Sequence, residues 1–152
     1  MLIEYLSRLS LLQFVIWKTS SSIIWSLSVR EELLSRLSAG KTYEDAVGDR
    51  WKMDTPMPEA VKNIVVMNVN EVEKVASQVD FVFSAVDMSK DEIKKIEEDY
   101  AKTETPVVSN NSAHRWTPDV PMVVPEINPE HMEVIKYQKE RLGTKRGFVA
   151  VK

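Results

Sequence analysis

Residues 80–109 read DFVFSAVDMSKDEIKKIEEDYAKTETPVVS, and their pattern decides the fold. Asp80 to Val86 is an apolar run ending in small residues, as in a strand buried on both faces. Ser89, with Glu92 three residues on, forms a capping box, so a helix begins there. Ile93, Ile96 and Tyr100 share its inner face, which leaves Lys90, Asp91, Lys94, Lys95, Glu97 and Glu98 to water. Thr105 to Ser109 is a second short strand. Strand, helix and strand at this spacing predict a parallel pair joined by a helical crossover.

The pattern extends in both directions. Upstream, Ile64-Val65-Val66-Met67 is a β-branched run, and Val72 to Ser77 is a short helical stretch. Downstream, the polar loop Asn110 to Arg115 leads into Pro118–Pro129, where four prolines predict extended chain. Asn128 can cap a helix that has Pro129 at its first position, and Gly143 can close it. Phe148 to Val151 reads as a last strand. The predicted fold class is α/β, a Rossmann-like parallel sheet with flanking helices. Ligands of such sheets bind at the carboxyl ends of the strands, which points to Ser84-Ala85 and Asn110-Asn111-Ser112.

Composition narrows the function classes. The chain has 152 residues, 43% of them hydrophobic, enough for one domain with a core. A net charge of -3 argues against a dedicated nucleic-acid binder. The absence of cysteine removes disulfides, thiolate metal sites and a cysteine nucleophile from these residues. With His114 and His131 as the two histidines, no zinc site is expected, and the metal prediction is none. Leu11 to Trp17 is apolar, but Lys18 and a serine run interrupt it short of the ~20 residues a membrane span needs. It also lacks the basic start and cleavage site of a secretory signal. The expectation is a cytoplasmic domain with neither nucleic-acid nor membrane partners.

The first 38 residues differ in kind. They hold nine serines and neither glycine nor proline. Leu2, Tyr5, Leu6, Leu9, Leu12 and Ile16 fall on one helical face, so residues 1–16 read as an amphipathic or partly disordered segment. Its polar face, with Glu4, Arg8, serines and Gln13, is not that of a membrane-surface helix. Residues 1–37 are therefore set apart as an atypical segment, helical at its start. Residues 38–152 form a partial Rossmann-like domain.

Several stretches together resemble aspartate-semialdehyde dehydrogenase, in the branch shared by archaea, fungi and some bacteria. They are Ser38-Ala39-Gly40-Lys41-Thr42-Tyr43, Trp51-Lys52-Met53, Phe83-Ser84-Ala85, the run SNNSAHRWTPDVPMVVPEIN over residues 109–128, Tyr137 to Arg141, and Gly147-Phe148. The resemblance covers about residues 38–152. It implies an NADP-binding domain of an enzyme that reduces aspartyl 4-phosphate to the semialdehyde, leading to lysine, threonine and methionine. In that chemistry a cysteine thiolate attacks the acyl carbon, and hydride from the nicotinamide reduces the thioester. A homo-oligomer is implied for the full-length enzyme.

Residue by residue, Ser38, Gly40 and Lys41 match the loop approaching the adenosine ribose and its 2′-phosphate. A small, cationic turn suits a phosphate, although Lys41 alone would equally fit an ordinary surface turn. Ser84 and Ala85 match the strand end over which the cofactor passes. Asn110, Asn111 and Ser112 match the loop near the nicotinamide; as bare sequence, both pieces also fit simple packing and turn chemistry. Arg115 matches the arginine that grips the substrate phosphate, a task for a planar guanidinium. His114 reads as a loop or capping residue, His131 as solvated, and Glu126 as either site-shaping or structural.

Two departures stand out. The family opens with a strand and a G-A-T-G-x-V-G loop that cradles the pyrophosphate, whereas no glycine precedes Gly40 here. Side chains throughout that turn would keep the cofactor backbone at a distance, so affinity should be reduced. Relatives also carry an Asn-Cys pair just beyond the position of Lys152, so the catalytic cysteine and the later histidine are absent. The chain is thus expected to be an inactive fragment, with no catalytic residue of its own. A Leu-Glu-Asn codon run read one nucleotide late would give Trp17-Lys18-Thr19, so residues 1–37 are expected to be out-of-frame or poorly ordered. The alternative function is a non-catalytic nucleotide-binding or subunit-interaction module, docking through Leu2 to Trp17.

Overall fold

The computed structural model describes residues 24–27, 31–35, 38–52, 54 and 56–152. Among them, six strands make one sheet: β1 (Ile24–Leu27), β2 (Glu31–Ser35), β3 (Met67–Asn68), β4 (Val82–Ser84), β5 (Val107–Ser109) and β6 (Val149–Val151), in the order β3-β2-β1-β4-β5-β6. The helices are α1 (Tyr43–Val47), α2 (Glu59–Lys62), α3 (Val72–Ala76), α4 (Lys90–Lys102) and α5 (Ile135–Leu142). Short 3-10 helices occupy Gly48–Arg50 and Pro129–Val134.

β4, β5 and β6 run parallel, with Ser84 opposite Ser109 and Ser109 opposite Val151. β2 and β3 are also parallel, but β1 is antiparallel to both β2 and β4. Every strand except β1 therefore points the same way, and their carboxyl ends share one edge. The order is that of a doubly wound nucleotide-binding sheet with its central strand reversed. The predicted parallel sheet is present, and the reversal is a departure from it. Its cause lies in the connection, because only three residues separate β1 from β2. A parallel pair needs a crossover of about a dozen residues, so the short link forces a hairpin. Part of the segment set apart as atypical thus enters the sheet as strand. The helix expected in residues 1–16, and Trp17-Lys18-Thr19, lie outside the described residues.

Alternation along the strands sorts the core onto two faces. Val82, Val107, Val149 and Val151 pack with Val75, Ile93, Ile96, Tyr100 and Ala101 on the side of α3 and α4. On the other face, Phe83 packs against Tyr43, Val47 and Val66, while Phe148 and Ala150 pack against Ile135. The capping box of α4 forms as predicted, Ser89 Oγ accepting from Glu92 N at 3.3 Å and Glu92 Oε2 accepting from Ser89 N at 3.1 Å. The Tyr100 hydroxyl donates to Val69 O at 2.7 Å, and burial raises its pKa. The strand expected over Ile64–Met67 is narrower, since Val65 instead makes an antiparallel bridge with Thr42.

Two polar residues differ from expectation. Asn128 stands at the start of the Pro129–Val134 turn without capping it through its side chain. Its amide folds back over the proline-rich strap instead, accepting from Val124 N at 2.8 Å and donating to Met122 O at 2.9 Å. The extended strap has its own unpaired backbone groups, and they claim the amide. His131, expected in water, is half-buried and sets Nδ1 3.0 Å from Met122 O.

Near the far end of α4, Glu104 adopts φ 65° and accepts hydrogen bonds from the backbone N–H groups of Lys145, Arg146 and Gly147. These bonds hold its carboxyl at a pKa of about 2. They draw residues 145–147 onto the end of the helix and set the start of β6.

Candidate functional site

The predicted residues follow or end three of the strands. Ser38 to Lys41 follow β2, Ser84 ends β4, and Asn110 to Ser112 follow β5. Arg115 lies in the same loop, its N–H directed to Ser112 O at 3.4 Å.

The Ser38–Lys41 turn is clipped to the chain before β3. Gly40, at φ 84°, donates its N–H to Val66 O at 2.8 Å, and Lys41 O accepts from Val66 N at 2.8 Å. Lys41 N donates to Ser38 O at 3.2 Å. Two backbone donors expected to meet a phosphate are thus engaged internally. The group this turn presents outward is the exposed Lys41 ammonium.

At the centre of the edge lies a buried polar cluster. Ser84 and Ser109 are fully buried, and their hydroxyls donate to one oxygen, Glu97 Oε1, at 2.5 and 2.6 Å. Asn111 Nδ2 donates to Ser84 Oγ and to Glu97 Oε1, each at 3.1 Å, and Asn111 N donates to Ser109 Oγ at 3.0 Å. Ser84 therefore turns its hydroxyl inward, and its carbonyl carries the ladder onward by accepting from Asn110 N at 2.8 Å. Ala85, Asn110 and Asn111 are half-buried, while Ser112 and Arg115 are exposed.

Glu97 was expected in water, yet it is 1% exposed. Its position is four residues after Ile93 and four before Ala101, which places it on the buried face of α4. Charge type concealed this, although two serines at inward strand positions gave the complementary signal. His114, expected as a loop or capping residue, lies in the loop after β5 and is also buried. Its Nδ1 lies 3.2 Å from Thr117 Oγ1, and its Nε2 is 3.9 Å from Glu97 Oε2. Those last two atoms have no hydrogen-bond partner among the described residues. At that separation they interact as charge and dipole rather than through a hydrogen bond. Burial lowers the His114 pKa despite the nearby Glu97 and Glu98 carboxylates, favouring the neutral ring.

Glu126 is exposed and stands apart from the cluster's hydrogen bonds. Among the described residues, no group of three or more His, Asp or Glu could hold a metal, and no helix is long and apolar enough to cross a membrane.

Residues 28–135 match the family described as semialdehyde dehydrogenase, NAD binding domain. An aspartate-semialdehyde dehydrogenase from Aspergillus fumigatus is 41% identical over 115 residues, covering 76% of this chain and 30% of the relative. The enzyme of the same name from Methanothermobacter thermautotrophicus is 38% identical over 109 residues, covering 72% of this chain and 29% of the relative. A crystal structure of the Candida albicans aspartate-semialdehyde dehydrogenase with NADP superposes with a TM-score of 0.62 at 35% identity, covering 77% of this chain and 32% of that one. The chain thus spans about 30% of the length of the relatives it matches. A doubly wound strand order, a polar strand-end edge and these matches agree: the chain belongs to the semialdehyde dehydrogenase family, in the region of its NAD-binding domain.

Proposed function

We propose that this chain is the cofactor-binding part of an NADP-dependent aspartate-semialdehyde dehydrogenase, holding the nucleotide weakly and catalysing nothing alone. The observation supporting this reading is the carboxyl edge of β4 and β5, which Ser84 ends and which Asn110 to Arg115 follow, with Lys41 beside the chain that enters β3. Lys41 would meet the 2′-phosphate, and Asn110, Asn111, Ser112 and the Ser84-Ala85 backbone would flank the nicotinamide. Arg115 would take the phosphate of aspartyl phosphate. Bound NADPH supplies hydride.

The residues fit the two ends of such a cofactor better than its middle. Where a pyrophosphate would meet a glycine-rich turn, the chain has a reversed β1 and no preceding glycine. The thiolate chemistry needs a cysteine, and these 152 residues contain none. Activity on aspartyl phosphate, a place in lysine, threonine and methionine synthesis, cytoplasmic residence and homo-oligomerisation are proposed for the full-length enzyme. We also propose the boundary at residue 37, with an out-of-frame origin of the preceding segment. A single-base shift upstream of Ser38 that restores a glycine-rich loop in the gene would support it, and a gene offering none would refute it.

Calorimetric titration of the purified chain with NADPH, with and without inorganic phosphate, tests the binding reading. The expected dissociation constant is on the order of 1 mM, about 4 kcal/mol of binding free energy. A folded chain with no detectable NADPH binding would reject it.

A subunit-interaction module is the second reading. It is favoured by Trp116 at 94% exposure and Ile127 at 77%, large apolar groups facing solvent. Association with an intact dehydrogenase in the absence of cofactor would support it.

A further inference from the structure

We infer that Glu97 is a positioning residue: from below the sheet edge it fixes the orientation of Asn111, and hence of the Asn110–Ser112 loop, without touching a ligand itself. The inference rests on the proposed role of that loop beside the nicotinamide.

Both serine hydroxyls aim their protons at one oxygen, Glu97 Oε1, at 2.5 and 2.6 Å. Their remaining lone pairs are then committed to accepting, and both accept from Asn111. Ser109 Oγ takes the backbone N–H at 3.0 Å, and Ser84 Oγ takes Nδ2–H at 3.1 Å. Nδ2 also donates to the carboxylate directly, at 3.1 Å. This fixes the amide one way round, because the reversed amide would set Oδ1 against the carboxylate. Asn111 is thus held through its main chain and side chain together, with Nδ2 rather than Oδ1 facing the acid.

Location separates this role from ordinary packing. Along the inner faces of β4 and β5 the preceding inward positions are Val82 and Val107, and the serines occur only at the carboxyl ends. Burying a carboxylate is unfavourable by several kcal/mol before its hydrogen bonds are counted, and aliphatic residues would fill the same face without that penalty. The polar cluster is confined to the end of the strands where ligands of such sheets bind.

The test compares the full chain with Glu97→Gln, Ser109→Ala and the core control Val75→Ala. NADPH affinity is read by calorimetry, and protection of the Asn111 N–H by amide hydrogen exchange. In Glu97→Gln the new NH2 can donate to the hydroxyls and reverse them, removing acceptors from Asn111. About a tenfold loss of NADPH affinity is expected, with about tenfold faster exchange at Asn111. Ser109→Ala should reproduce both effects with the buried charge retained, and it decides the matter should Glu97→Gln not fold. Val75→Ala should lower the melting temperature and leave both readouts unchanged. Unchanged exchange at Asn111 in the folded variants, or faster exchange with wild-type affinity, would overturn the inference, as would equal losses in Val75→Ala. If the wild-type chain binds no NADPH, the proposed function fails and the role in a cofactor site fails with it. Exchange at Asn111 would then still show whether Glu97 orders that residue.

Discussion

A methyl group added at Gly147 would sit 1.7 Å from the Ala101 carbonyl oxygen and 2.8 Å from its carbon. Both are backbone atoms of α4, so no side chain can rotate away to make room. Gly147→Ala should therefore destabilise the fold by about 3 kcal/mol, read as a lower urea midpoint. Protonation acts at two other residues. His114 has a folded pKa below its ordinary 6.5, so its neutral burial contributes fully above about pH 6.5 and is lost as pH falls through the folded pKa. Glu104 is lowered from 4.5 to about 2, so its contribution is present above about pH 4.5 and lost toward pH 2. Urea unfolding across pH should show two successive declines in stability on acidification. His114→Gln should remove the upper one and Glu104→Gln the lower; a flat profile above pH 5 in the wild type would contradict the His114 assignment.

Among the elements, α4 links packing to the candidate site. Its start is fixed by Ser89 and Glu92, one inner position carries Glu97, and its far end leads to Glu104. Ser89→Ala removes the acceptor for Glu92 N and should cost about 1 kcal/mol of stability in thermal unfolding. The helix was legible because a capping box and a 3.6-residue apolar period are local signals. The direction of Glu97 was not. A glutamate on an amphipathic helix usually faces water, and its partners here are Ser84, 13 residues before it, and Ser109 and Asn111, 12 and 14 residues after it. The same limit applies to Asn128, which reads as a helix cap until the strap from Met122 to Val124 competes for its amide.

For the molecule as a whole, the decisive feature is a nucleotide-binding strand order whose central strand runs backward. The turn after β2 pairs the Gly40 and Lys41 N–H groups internally, so on the proposed reading the Lys41 ammonium is the group left to attract the 2′-phosphate. Lys41→Ala should abolish preference for NADPH over NADH while leaving NADH affinity within about twofold, measured by parallel titrations. Equal losses for both nucleotides would assign Lys41 to general attraction instead.

Residues 80–109 by themselves determined the crossover unit, its capped helix and the strand ends on which Ser84 and Ser109 lie, since periodicity and capping need only near neighbours. The tertiary structure alone decided that β1 lies against β4, that Glu97 is inside, and that Ser84 serves Asn111 rather than solvent. Those outcomes depend on partners distant in the chain, and no local period encodes which distant donor a buried carboxylate will meet.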